Sequence, residues 1–396
     1  MRRLMFYICL FIVITLGMIG IFSGRSDSQG TKLNLGDPLP GLTPGQVTAF
    51  NSGKEEFNAR EDAAEGLGPV FNDDGCGSCH NLGAVGGAGL QFETRVGKVT
   101  DGVFDPLVSQ GGEVLQAFGI DAPGTDARFN GEHIPPDANE VARRRTTALF
   151  GLGLVDATAD QTFVNIAAAQ PKAVRGRVNM VYNISKGHNT VGKFGWKAQV
   201  PTLFQFAGDA YLNEMGITSP QFPKEIAPQG DAALLAVYDT VPDPEDDGED
   251  VQRFTDFMRY LAPPAPQTDE YQEGSKLFEQ FGCAQCHVRS ITSSPNQVAA
   301  LSQQTYYPYS DFLLHDMGTL GDGIADQGVA NSREMRTAPL WGLHYLNQNN
   351  LLHDGRAHSL KEAVLLHDGQ ASGARDKFAK ANPKSQEELL KFVSSL

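Results

Sequence analysis

Apolar and polar positions divide this chain into short periodic blocks separated by long irregular stretches. The first block runs apolar from Leu4 to Phe22 behind Arg2 and Arg3. Its length is close to a membrane span and exceeds a usual signal core, so residues 1–24 read as a signal peptide or an N-terminal membrane anchor with its arginines inside. Residues 25–45 are rich in Ser, Gly, Asp and Pro and read as a linker. A helical pattern begins near Gln46 and leads to a long Gly-rich stretch. Within that stretch Arg177–Ala198 reads as a hairpin: Val178, Met180 and Tyr182 alternate, Lys186-Gly187-His188-Asn189 supplies the turn, and Val191 to Phe194 returns. The acidic run Pro242–Asp250 reads as a solvated loop. It enters a helix, Val251–Leu261, that sets Phe254, Phe257, Met258 and Leu261 on one face. Pro263-Pro264-Ala265-Pro266 ends that helix. A further helix is predicted over Glu270–Phe281, and capping boxes at Ser359-Leu360-Lys361-Glu362 and Ser385-Gln386-Glu387-Glu388 open two more.

Two five-residue motifs follow predicted helices, Cys76-Gly77-Ser78-Cys79-His80 and Cys283-Ala284-Gln285-Cys286-His287. CxxCH is the attachment pattern of c-type haem. Two thiols at this spacing add to the two vinyl groups of one porphyrin, and the adjacent histidine is held beneath the iron. A redox dithiol or half a zinc site would use a similar spacing. The repetition, with Cys9 in the N-terminal apolar run as the one other cysteine, makes those readings the weaker ones. Cys76, Cys79 and His80 are therefore assigned to one haem and Cys283, Cys286 and His287 to a second. A helix before each motif and a helix closing each half give a mostly α fold of two cytochrome c-like domains, 46–264 and 265–396. The first carries a large loop-rich insertion that contains the hairpin.

Composition narrows the partners. The chain has 396 residues, 43 glycines, 22 prolines and a net charge of −15. An acidic chain without a basic patch is a poor ligand for nucleic acid, and a redox donor with a small neutral substrate suits it better. Covalent haem attachment beyond the bacterial inner membrane agrees with an exported, periplasmic or cell-envelope location. Residues 4–22 are the candidate membrane tether.

Several longer segments resemble the bacterial di-haem cytochrome c peroxidases. They resemble still more a related di-haem oxidoreductase family long labelled thiol oxidoreductases. The segments are Gly66-Leu67-Gly68-Pro69, Gly192–Ala198, Leu313–Gly318, Arg336–Gly342 and His353-Asp354-Gly355-Arg356-Ala357. The resemblance extends from about residue 46 to the C-terminus and implies peroxide as the small oxidant. In the peroxidases a methionine fourteen residues after the His-Asp-Gly histidine ligates the electron-transfer haem, and counting from His353 reaches His367 instead. The resemblance thus implies a His287/His367 haem, with Met317 and then Met335 as the other candidate ligands. It places Glu214, in Glu214-Met215-Gly216, at the position of a catalytic carboxylate; an exposed glutamate at a helix end is the competing reading. Phe194 and Phe204 then stand where the peroxidases have Trp and Gln, while Trp196 and Gln205 lie close enough to take those roles, Trp196 as an electron relay. No histidine follows His80 before His133, which leaves the first iron with an open position. Arg336 and Arg356 are candidate partners for haem propionates, and His315 and His353 for supporting the pockets. The resemblance also implies a calcium ion between the domains, although no acidic cage stands out. A thiol oxidase or oxygenase on the same scaffold, and a pure electron carrier, are the alternative functions.

Overall fold

Two helix crossings organise the molecule, and they are built alike. The helix Pro44–Phe57 crosses Glu249–Tyr260 at Gly53, where an added Cβ would lie 2.2 Å from the Arg253 carbonyl oxygen. The helix Gln272–Phe281 crosses Pro383–Ser394 at Gly274, where a Cβ would lie 2.3 Å from the Glu388 carbonyl oxygen. Only glycine permits backbones to approach so closely. Four residues after each glycine a phenylalanine reaches the partner helix: Phe57 meets Phe257 at 4.9 Å and Phe278 meets Phe392 at 5.4 Å between ring centroids. The same two rings face the histidines of the motifs, Phe57 with His80 at 6.0 Å and Phe278 with His287 at 6.4 Å.

Each crossing seeds its own apolar core. Phe50, Phe57, Leu203, Tyr211, Phe254 and Phe257 belong to one, and Cys76 packs against it. Leu277, Phe278, Tyr309, Phe378, Leu389 and Phe392 belong to the other, and Cys283 packs against that. The computed structural model describes residues 33–121, 129–265, 270–325, 327–346 and 350–396. Leu33–Leu396 make up one compact unit. Among the described residues no helix is long and apolar enough to cross a membrane. The predicted signal or anchor segment, 1–24, lies outside them.

The architecture is mixed rather than mostly α: eleven α-helices stand beside twelve short strands among the described residues. The Gly-rich stretch contains a four-stranded antiparallel sheet centred on Phe92–Thr100, paired with Val103–Asp105, Val114–Leu115 and Glu140–Arg145. Its register sets Glu93 opposite Arg144. The same face carries Arg95, so the inner side is lined by charge and shows no apolar alternation. The hairpin forms as Asn179–Asn183 and His188–Gly192, with Met180 opposite Val191. Its apolar Met180 and Tyr182 face solvent, whereas Asn179 and Asn183 are buried. Asn179 donates to the carbonyls of Lys197 and Gln327, which satisfies its buried amide.

Helix starts follow cap chemistry. Thr43 and Gln46 form a reciprocal capping box. Ser359 accepts from the Glu362 N–H, but the Glu362 carboxylate accepts from the His358 N–H rather than closing the box. The terminal helix begins at Pro383 with Asn382 as its cap, two residues before the predicted Ser385 box. Proline at the first helical position fixes φ and starts the helix early. The acidic run is more than a solvated loop, because Asp246 is buried and accepts from the Gly248 and Asp250 N–H groups at 3.0 and 3.1 Å.

Gly216 ends the helix Leu203–Met215 at φ +71°, and a Cβ there would lie 2.7 Å from the Gly68 and Val70 carbonyl oxygens. Gly216→Ala therefore combines left-handed strain, about 1–2 kcal/mol, with a backbone clash. Thermal unfolding should show a loss of about 2 kcal/mol or more.

Candidate functional site

The second motif opens onto a cavity of about 400 Å³ whose walls are mainly apolar. Cys283, Cys286 and His287 line it, and so do His367, Met317 and Met335. His287 binds the Tyr309 carbonyl through Nδ1 at 2.8 Å, and His367 binds the Ala363 carbonyl through Nδ1 at 2.7 Å. A carbonyl accepts, so each Nδ1 carries the proton and each Nε2 keeps its lone pair. This is the tautomer a metal ligand requires. Burial lowers both imidazoles, His287 to about 4 with the His367 charge adding to the effect, so both are neutral at pH 7.

Two buried arginines on the same wall bear on whether a haem fits. Arg336 donates to the Gly195 carbonyl at 2.6 Å and Arg145 donates to the Gly89 carbonyl at 3.2 Å. Neither makes an ion pair among the described residues, and Nη2 of Arg145 is buried without a partner. Burial lowers both guanidinium groups, Arg336 to about 10. An apolar slot ending in two cations short of anions suits a porphyrin with its two propionates. Arg356 lies elsewhere and is paired with Asp354.

At the first motif Cys76–Cys79 form a single helical turn and His80 caps it. His80 binds the Gly87 carbonyl through Nδ1 at 3.1 Å, and burial holds it near 4. Cys76, Cys79, Cys283 and Cys286 are joined in no disulfide. Glu214 stands in the last turn of its helix, and its charge is felt by both Cys76 and Cys79. It is half-buried rather than solvated. Its carboxylate accepts from Asn72 Nδ2 at 2.8 Å, and its carbonyl accepts from the Asn72 N–H at 2.7 Å. Burial, then the neighbouring Glu93, raises it to about 8.

Trp196 is on the other site: it lines the cavity and donates from its indole N–H to the Arg145 carbonyl at 2.9 Å. His353 meets Trp196 edge-on at 6.1 Å and accepts, through its carbonyl, from the Arg145 N–H. Thr146, Thr147 and Ala148 continue along the cavity wall, and the Thr147 backbone reaches His80. One strand end thus joins the wall of the second site to the first motif. Gln205 is occupied elsewhere, bonding Ile184 N–H and the Tyr182 carbonyl, and Phe194 stacks on Phe206 at 6.2 Å. His133 is on an exposed loop. His315 lines the cavity, bonded to Asp311 at 2.9 Å with Nδ1 3.7 Å from the Cys286 sulfur. Burial opposes its charge, yet the bonds to Asp311 and Cys286 prevail and raise it to about 10.

Sequence reasoning missed a buried group of ions. Arg95 bonds both Glu93 and Glu113. Gln327 joins Glu113 to Arg144 at 2.8 and 2.9 Å. Arg144 bonds Asp322 at 2.8 Å, and Lys197, fully buried, pairs with the same carboxylate at 2.9 Å. The run Arg143-Arg144-Arg145 is the one local signal, and nothing within it marks Arg144 as buried. An acidic grouping also escaped notice: ligand atoms of Glu225, Asp243 and Glu245 lie within 4.8 Å of one another.

No match was found among curated proteins. Among solved structures, hydrazine synthase from Kuenenia stuttgartiensis, determined under xenon pressure, aligns over 98% of this chain and 100% of its own. The identity is 12% and the TM-score 0.41, a likeness too loose to carry an argument. Residues 132–396 match the family described as "Di-haem oxidoreductase, putative peroxidase". That span holds the second motif, Trp196, Glu214 and all of the cavity lining except Ala88, and the chain belongs to the di-haem oxidoreductase family.

Proposed function

We propose that this protein is an exported c-type di-haem cytochrome of two cytochrome c-like halves that reduces hydrogen peroxide with electrons from an external donor protein or small redox donor. When bound, the haems supply electron storage at the second motif and a reactive iron at the first. The observation that carries the reading is the inequality of the two sites. His287 and His367 present two neutral imidazoles to one cavity. The first motif has instead a half-buried carboxyl, Glu214, held as an acid near neutral pH. Two strong imidazole ligands suit a closed electron-transfer group, and a carboxyl poised near the working pH suits proton transfer. To Trp196, hydrogen-bonded to the Arg145 carbonyl on the wall of the second site, we assign the relay of electrons between them.

Steady-state reduction of peroxide by a reduced cytochrome or dye tests the reaction. Absence of turnover in protein whose first iron still binds carbon monoxide would sink it. Oxygen consumption without peroxide would favour an oxygenase or thiol oxidase instead. His367→Ala should convert the low-spin signal of the second haem to high spin and allow carbon monoxide to bind there, as read by electron paramagnetic resonance and visible spectra. His367→Met should raise that haem's potential, because thioether stabilises ferric iron less than imidazole does.

A further inference from the structure

A second recess backs onto the cavity of the second motif, and the peroxide reading gives it no occupant. We propose that this recess binds a small organic oxyanion that gives up electrons one at a time, and that reducing equivalents reach the second haem from there; the inference rests on the reading of that haem as the one that stores electrons.

The recess has a volume of about 460 Å³. Its wall toward the haem cavity is a two-stranded ribbon, Leu314–Asp316 paired with Glu334–Arg336. Successive side chains of a strand point to opposite faces. His315 and Met335 stand opposite each other and line the haem cavity, whereas the next pair, Asp316 and Glu334, lines the recess. Gln370, three residues after His367, lines both. Its Oε1 accepts from the Asp316 N–H at 2.9 Å, and its Nε2 donates to the Arg175 carbonyl at 2.9 Å. Arg177 joins the ribbon through paired backbone bonds with Leu314 at 3.0 and 2.9 Å. One packed layer of chain, about 10 Å, thus separates an occupant of the recess from the haem cavity. An electron can cross that layer while its donor stays outside.

The charges select the occupant. Arg175, Arg177 and Arg333 line the recess, against two carboxylates, Asp316 and Glu334. Arg177 donates to Glu334 at 2.6 Å and Arg333 donates to Asp316 at 3.1 Å. Arg175 donates to the Gln170 carbonyl at 3.1 Å and makes no ion pair among the described residues. Asp368, beside the recess, is held by Arg375 at 3.3 Å and by the Thr319 hydroxyl at 2.9 Å. The lining therefore keeps one cation in excess, in a chain whose net charge is −15. Such a chain repels anions at long range, so an anion binds where guanidinium groups gather. The planar guanidinium fork matches a pair of oxyanion oxygens. A recess of this volume takes a small molecule, whereas a donor protein needs a face of about 800 Å².

The electrons balance. Each anion loses one electron to the haem and one proton to solvent, and it leaves as its radical. Two anions supply the two electrons and two protons that turn one peroxide into two waters.

Stopped-flow reduction of the ferric, haem-loaded protein by ascorbate, without peroxide, tests the site. Reduction of the second haem should saturate with ascorbate, and citrate, an anion that gives no electron, should compete. Arg175→Gln should raise the half-saturating concentration about tenfold, as expected when one charge-assisted hydrogen bond is lost. Arg333→Gln should raise it as well, so the result does not depend on one variant folding. Lys391→Gln, which removes a charge from the terminal helix, should leave it unchanged. Uncharged hydroquinone should reduce all of these proteins at one rate. A rate linear in ascorbate, or a half-saturation unmoved in folded Arg175→Gln and Arg333→Gln, overturns the proposal. Equal slowing with hydroquinone places the effect on the haem and also overturns it. Saturable, arginine-dependent reduction in protein that does not turn over peroxide upholds the recess and overturns the peroxide reaction. Peroxide turnover with reduction linear in ascorbate does the reverse.

Discussion

Glu214→Gln lowers peroxide turnover by about 10²–10⁴-fold, the range a positioned acid–base group contributes, while both haem spectra are retained. Glutamine keeps the size of the side chain and can still face Asn72, so the helix end and its Gly216 cap are undisturbed. What it loses is the transferable proton. In barrier terms this is about 3–5 kcal/mol. The loss should fall on kcat more than on KM, because the proton moves only as the O–O bond breaks. Stopped-flow oxidation of a reduced donor at several peroxide concentrations separates the two. The acid form of Glu214 is present below about pH 8 and is lost above it. Wild-type turnover should therefore decline on the alkaline side, and the variant should show no such limb. An unchanged kcat in Glu214→Gln would leave Glu214 with a structural role only.

Asp322→Ala should be the most damaging substitution outside the haem motifs. Asp322 is buried and pairs with Arg144 and Lys197, which are themselves buried. Removing it leaves two cations in the interior with no carboxylate between them. Breaking a buried ion pair costs about 3–5 kcal/mol. At a few degrees per kcal/mol for a large domain, that is a fall of on the order of 10 °C in thermal midpoint by circular dichroism. Lys197→Met should be milder, because Arg144 and Asp322 remain as a matched pair and a methionine fills the volume. The same contacts set a pH dependence. Burial by itself would raise Asp322, but Arg144 and Lys197 pull it below its ordinary value. Its contribution to stability is complete above the usual carboxylate range and is lost as acidification protonates it. A Tm of Asp322→Ala within a degree or two of wild type would show the triad to be solvated.

The ion group also explains why part of the fold was illegible in sequence. Strand prediction relies on apolar alternation, and Phe92–Thr100 presents Glu93 and Arg95 on its inner face. These side chains are inside because Glu113 and Arg144 meet them from other segments, and Gln327 ties those two together. No local pattern encodes partners 18 to 214 residues away. The hairpin was legible for the opposite reason, since its turn chemistry is local. Which of its faces is buried was not, because Asn179 and Asn183 go inward to bond the Lys197 and Gln327 carbonyls and Thr190.

Among candidate ligands, counting along the sequence brought His367 to the cavity of the second motif, together with Met317 and Met335. Sequence had no means of distinguishing Arg336, which lines that cavity, from Arg356, which pairs with Asp354 at the surface. Arg145 carries no local mark of the cavity it lines.

The sequence by itself determined the repeated thiol and imidazole pattern, because each CxxCH carries its spacing within five residues. It also determined the helices that precede and close each half, because their caps and apolar faces are local. Tertiary structure alone decided that the two motifs differ. Glu214 is raised only where packing buries it beside other charges, and Arg145 and Arg336 lack ion pairs only where the cavity wall surrounds them. Desolvation and long-range charge depend on what surrounds a residue, and that is settled when distant segments pack.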